Sequence, residues 1–220
     1  LKNPTCVLTR ENESPLAVLC LTRPWVRGFI LATLFGTLTA LAAQMSIRLP
    51  FTPVPVTGQV FLVLLAGGLL GPRLGAISQL EYLALGALGL PVFAAGSGGP
   101  LVFIGPTAGY LLGFVAAAWV VGRLAHTRRQ WWRLLFANLC GLSIIYFLGC
   151  IWLAGWLVLS KAEGLGIHQP AGAPFLQALL LGAMPFLWVD LAKVLLATQI
   201  VHSLRGRAGA ACAVQRNDLE

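Results

Sequence analysis

The run FLQALLLGAMPFLWVDLAKVLLATQIV, residues 175–201, decides how the rest of the chain is read. It is apolar for the length of a membrane-crossing helix, since a hydrocarbon layer of about 30 Å takes about 20 helical residues. Yet it carries Asp190 and Lys193, three residues apart and therefore on one helical face, where they can pair. A charge at bilayer depth costs about 2.5–3.5 kcal/mol even on the lenient insertion scale, and such residues face a bundle interior, a cavity or a partner. Two on one face mark a candidate site. The competing reading is a self-neutralising pair that packs between helices, although its polar heads still need partners in a dry core.

The whole composition agrees with the membrane reading. Of 220 residues, 58 % are hydrophobic and 10 % charged, and the mean hydropathy is +0.83, whereas a soluble domain is roughly a quarter charged. Five further apolar runs, about 28–45, 60–70, 76–90, 106–124 and 134–159, precede the last one. The chain therefore reads as an all-α integral membrane protein, a six-transmembrane-helix bundle, with no room left for a soluble catalytic domain. Residues 1–22 are read as a cytoplasmic N-terminal segment, 23–204 as the membrane domain and 205–220 as a polar cytoplasmic tail.

The net charge of +8 sits in the gaps between apolar runs, not along a stripe, which argues against nucleic acid. It does fix an orientation. With six spans, Arg23, Arg27, Arg73, Arg123, Arg128, Arg129, Arg133, Arg205 and Arg207 fall on one side, against Arg48 and Lys161 on the other. Positive-inside bias makes the first side cytoplasmic, so both termini lie inside and the chain is a multi-pass protein of the cell membrane. Trp25, Trp119, Trp131, Trp132 and Trp156 then fall near the interfaces of the bilayer.

Two loops would face outward together. In LPFTPVPVTGQ (49–59), prolines 50, 53 and 55 forbid regular helix and leave an extended segment, either a stiff loop or a lid over a site. In GLPVFAAGSGGPLVFIGPTAGY (89–110) the glycines and prolines are too dense for one helix. A phosphate-binding loop is excluded there, since the Lys-Ser/Thr ending and preceding strand are missing. A re-entrant or cavity-lining loop fits, because irregular backbone at membrane depth must be covered by protein.

Other polar residues need an explanation inside so apolar a chain. Gln79, Glu81 and Tyr82 cluster in the third run and are candidate ligand contacts, with Glu81 alternatively buried neutral or at the membrane edge. Ala32, Gly36 and Ala40 recur every four residues and make a flat stripe, for packing within this chain or for docking another membrane subunit. Cys140 and Cys150 lie inside apolar runs as packing residues. The three histidines are dispersed, giving a metal site little support. No nucleophile with an acid or base in reach appears, so an enzyme is disfavoured.

The strings PFTPVPVTGQVFLVLLAGGLLGPRLG, GALGLPVFAAGSGG, GPTAGYLLGF, IIYFLGCIWL and DLAKVLLA, in that order between residues 28 and 201, resemble the biotin-specific S components of energy-coupling factor transporters, the BioY type. The resemblance implies a six-helix bundle that captures biotin from outside and needs no cofactor. Its partners would be a transmembrane T component and two ATP-binding cassette ATPases, which would hydrolyse the ATP. It implies that Asp190 and Lys193 contribute to the biotin site and that Pro53, Pro55, Thr57 and Gln59 belong to a gating loop. It further implies that Ala32, Gly36 and Ala40 dock the T component. Glu81 departs from the family pattern, where an apolar residue is usual. The rival reading is a stand-alone proton-coupled carrier of a small organic acid or vitamin, with Glu81 or Asp190 carrying the proton.

Overall fold

The computed structural model describes residues 24–125, 130–162 and 173–217, with side chains to Arg205. The N-terminal segment before Pro24, the loop histidine and arginines at 126–129, and His168 lie outside the described residues. Seven α-helices appear among the described residues: α1 Pro24–Gln44, α2 Gln59–Leu70, α3 Pro72–Ala87, α4 Ala108–Ala125, α5 Trp131–Ala162, α6 Pro174–Gly182 and α7 Leu187–Asn217. Four of these, α1, α4, α5 and α7, are long and apolar enough to cross a membrane.

The expected six helices become seven because the run 175–201 is not one helix. It stops at Gly182, passes through turns at 183–186, and restarts at Leu187. Pro185 supplies the physical cause, since its ring cannot continue a helix and it has no amide to donate. The break resets the position of Asp190, which now lies in the first turn of α7. There the exposed amides and the helix dipole favour a carboxylate. At the other end α7 continues through residues 205–217, where the sequence suggested a separate tail.

Helix α2, only 12 residues long, is the centre of the bundle. It packs on α1, α3, α4, α5 and α7, and its apolar composition all round matches burial on every side. At Gly71, with φ +83°, the chain turns directly into α3, a left-handed conformation that glycine adopts without a steric penalty. Lipid tails are as apolar as Leu, so the helices are held by close packing and polar contacts, with no hydrophobic drive between them. One such contact is the buried amide of Asn138 on α5 donating to Thr198 on α7 at 2.9 Å.

The small-residue stripe of α1 is spent on this internal packing. Ala32 is 0 % exposed, and a Cβ on Gly36 would come within 2.9 Å of the Ser78 carbonyl of α3. Ala40 is half-buried against the core. At Gly36 the stripe is thus met by α3, and Ala32 is buried as well, so this part of it is not an open docking face in this structure.

Arg27, Arg73, Arg123 and Arg133 stand near helix ends and Arg205 within α7, on a side of the bundle where Gly28 faces Leu74 and Gly122 abuts Gly71 and Pro72. There the Arg205 guanidinium donates to the carbonyls of Gly68 near the end of α2 and Ala125 at the end of α4. A cation over two helix C-termini meets their otherwise unpaired carbonyls and the negative ends of their dipoles.

At the opposite end lie the two irregular loops. The proline-rich segment is a finger whose base is a short antiparallel ladder, Ser46–Ile47 with Val56–Thr57, in register Ser46 to Thr57. The glycine-rich segment forms two short 3-10 turns, Ala94–Gly96 and Pro100–Ile104. Gln44, at the end of α1, donates its amide to the carbonyls of Pro91 and Phe93 at 3.3 and 3.2 Å, tying that segment down.

Candidate functional site

Below the two loops is a cavity whose empty space, counting its open mouth, is about 680 Å³. Its roof is Val54–Thr57 and Phe93, its walls come from α4 and α5, and its far side is Phe186, Asp190 and Lys193. Phe93 is held in place from behind. Its ring stands edge-on to Tyr82 at 5.4 Å and to Phe103 at 5.7 Å, and a Cβ at Gly86 would overlap it.

Asp190 is 4 % exposed and both its oxygens are partnered. Lys193 Nζ donates to Oδ1 at 2.6 Å, and the Tyr146 hydroxyl of α5 donates to Oδ2 at 2.7 Å. Lys193 also donates to the backbone carbonyl of Thr57 at 2.7 Å. One ammonium therefore bridges the carboxylate of α7 and the base of the finger. The finger has a second anchor, since the Thr52 hydroxyl donates to the Leu181 carbonyl at 2.6 Å.

That second anchor depends on the helix break. A helix that ends leaves carbonyls without intrahelical partners. At the end of α6 the Leu181 carbonyl takes Thr52, and the Gly182 carbonyl takes the Tyr110 hydroxyl of α4 at 3.0 Å. The interruption thus creates attachment points for the loop and for the cavity wall.

The chemistry of the cluster can be counted. An ammonium has three donors, and two are used, on Asp190 and Thr57, so one remains; a carboxylate accepting two bonds keeps lone pairs for more. The site is net neutral and mostly apolar elsewhere, with Gln59, Ser97, Thr107 and Tyr110 as its other polar lining residues, and offers acceptors beside a donor. That suits a ligand with adjacent N–H donors and a carbonyl oxygen.

The expected residues divide between several places. Asp190, Lys193, Pro55, Thr57 and Gln59 line the cavity together. Pro53 lines a second, outer space above it, with Arg48, Thr52, Ser97 and Thr107. Tyr82 stands behind the wall, its hydroxyl accepting from the Gln59 amide at 2.5 Å. Gln79 is 0 % exposed between α1 and α3, where its amide donates to Ser78 and Thr39 at 3.1 and 3.4 Å. Glu81 is beside Gly36 of α1, with both carboxylate oxygens buried and unpartnered among the described residues. Neither Gln79 nor Glu81 reaches the cavity.

Sequence reasoning missed Tyr146, Tyr110 and Thr107. Tyr146 is a hydroxyl in the middle of the apolar run of α5, a signal of the same kind as Asp190 though weaker. Cys150, by contrast, is buried with its thiol against the Ala178 carbonyl at 3.7 Å, a packing role as expected.

A family model described as the BioY family matches residues 11–210 of the chain. The chain is 39 % identical to the probable biotin transporter BioY of Pyrococcus horikoshii, over 80 % of its own length and 94 % of that protein. It is 38 % identical to the biotin transporter BioY of Thermotoga maritima, over 82 % and 96 %. Its fold is similar to a crystal structure of the S component for biotin from an ECF-type ABC transporter, with a TM-score of 0.70 and 29 % identity, covering 83 % of this chain and 92 % of that one.

Proposed function

The chain belongs to the BioY family, and from that membership and the site's chemistry we infer that it is a biotin-binding membrane S component that serves biotin uptake. Biotin has a ureido ring with two N–H donors and a carbonyl, an apolar sulfur ring and chain, and a carboxylate. The observation that carries the assignment of the site is the Lys193–Asp190–Tyr146 cluster on the wall of a mostly apolar cavity. Asp190 accepts ureido N–H bonds, and the remaining donor of Lys193 meets the ureido oxygen.

Loop closure is part of the same reading. Lys193 holds Thr57, and Thr52 holds the end of α6, so the finger 46–57 rests closed over the cavity. Ligand exchange requires the finger to lift from these two anchors. Two states favoured differently by ligand and partners then give alternating access.

The remaining organisation is proposed on the same basis. Both termini are cytoplasmic and the loops face outward, in keeping with the basic residues at the far end of the bundle. A transmembrane T component and two ATP-binding cassette ATPases supply the energy, and this chain hydrolyses no ATP. A partner helix approaching α1 meets its exposed residues, such as Thr33 and Thr37, because α3 covers Ala32 and Gly36.

Equilibrium binding of labelled biotin to the purified chain, beside Asp190→Asn and Lys193→Ala, tests the reading. Binding by the wild type, lost in both folded variants, is expected. Wild-type affinity in both variants would remove the site from α7.

A further inference from the structure

The described residues contain only two acids, Glu81 and Asp190. Asp190 is engaged by Lys193, and Glu81 is half-buried, with no partner for its two buried oxygens among the described residues. The inner cavity is therefore neutral at its charged end, and Lys193 has no spare charge with which to attract an anion. Arg48 differs. It is exposed, pairs with neither acid, and lines the outer space above the cavity.

The two spaces adjoin. Pro55, Ala94, Ser97 and Thr107 line both. At that junction the hydroxyls differ in availability. Ser97 donates to the Ala94 carbonyl at 2.9 Å, while the Thr107 hydroxyl makes no hydrogen bond among the described residues. A ligand reaching up from the Asp190 cluster thus passes a free hydroxyl and then an unpaired guanidinium.

We infer that the outer space is a carboxylate subsite, in which Arg48 and Thr107 receive the acidic end of a ligand whose other end is held by Asp190 and Lys193. This rests on the biotin reading and fixes the ligand's direction: ureido ring inward, carboxylate toward the mouth. A guanidinium matches a carboxylate in shape and charge. Being partly in solvent, it adds modest affinity and mainly attracts the anion during approach, an effect that salt screens. Arg48 therefore discriminates a free acid from its amide, a distinction the neutral inner cluster cannot make.

The test compares biotin with biotinamide, in which the carboxylate is replaced by a neutral amide, on the full chain in lipid nanodiscs. Wild type is expected to prefer biotin about five-fold or more, the contribution of one partly exposed charge pair with its hydrogen bonds. In Arg48→Gln the preference falls to within about two-fold because biotin weakens while biotinamide does not, and Arg48→Lys keeps most of it. The association rate for biotin falls with ionic strength in wild type and is flat in Arg48→Gln. If Arg48→Gln keeps the preference, or weakens both ligands equally as a residue serving lipid phosphate or loop structure would, the subsite is overturned. A wild type that binds both ligands alike also overturns the subsite while leaving the biotin reading intact. A folded wild type that binds neither sinks the biotin reading itself, and the subsite with it.

Discussion

The polar groups of α7 and, more weakly, those of α3 stood out in the sequence as candidate ligand contacts, and the fold treats them differently. On α7, Asp190 has both oxygens engaged and Lys193 reaches two acceptors, all against the cavity. On α3, Gln79 keeps one oxygen and Glu81 two that find no partner among the described residues, and both residues sit away from the cavity, in the packing between α3 and α1. Buried polarity alone therefore does not mark a binding site. What marks it is convergence: side chains from α5, α7 and a loop aimed at one space, with donor and acceptor capacity left over.

The largest expected effect tests that convergence on Lys193. Lys193→Met removes a charge-assisted hydrogen bond to the ligand worth about 1.5–3 kcal/mol, so biotin affinity should fall by about 10- to 100-fold in a binding isotherm, while the loss of Asp190's cation costs folding stability separately. It also frees the Thr57 carbonyl, and hydrogen exchange across 52–58 should quicken. Unchanged exchange there would remove Lys193 as the link between site and finger.

Next is the contact between α1 and α3. Gly36→Leu forces a side chain against the Ser78 backbone, at a cost of about 1–3 kcal/mol for overpacking. The purified chain alone should lose thermal stability. A variant of wild-type stability that fails only to copurify with its transmembrane partner would return the stripe to a docking role.

Smaller is Tyr146→Phe, which removes one hydrogen bond to Asp190 and keeps the ring. A net loss of about 1 kcal/mol gives biotin affinity several-fold weaker. Smallest is Glu81→Gln, expected to change affinity by less than about 0.5 kcal/mol, as for substitutions outside the site. A large loss there would erase the distinction between α3 and α7.

Much of this was legible in the residues. The spacing of Asp190 and Lys193 put them on one face, and they pair at 2.6 Å. Prolines 50, 53 and 55 ruled out helix, and the segment is an extended finger; the glycines of 89–105 ruled out helix, and short turns stand there. The family resemblance supplied biotin, which hydropathy and charge could not. The number of helices was misjudged because Gly182 and Pro185 were absorbed into an apolar run, though Pro185 is the residue most able to break it. The faces of Gln79, Glu81 and the small stripe were not legible for a different reason. Period and spacing say which residues share a face, but only the neighbouring helices decide what that face meets.

Arg205 has a mechanical consequence. Helix α7 carries the Asp190–Lys193 pair near its start and, 12 residues on from Lys193, a guanidinium fastened to the ends of α2 and α4. At 1.5 Å per residue those points are about 18 Å apart. The helix is thus a beam clamped part-way along, at Arg205, and, because the chain breaks at 183–186, not continuous with α6 at its upper end. A few degrees of tilt about the clamp would swing Asp190 and Lys193 through an ångström or more, and the cavity would change shape while the base of the bundle stayed still.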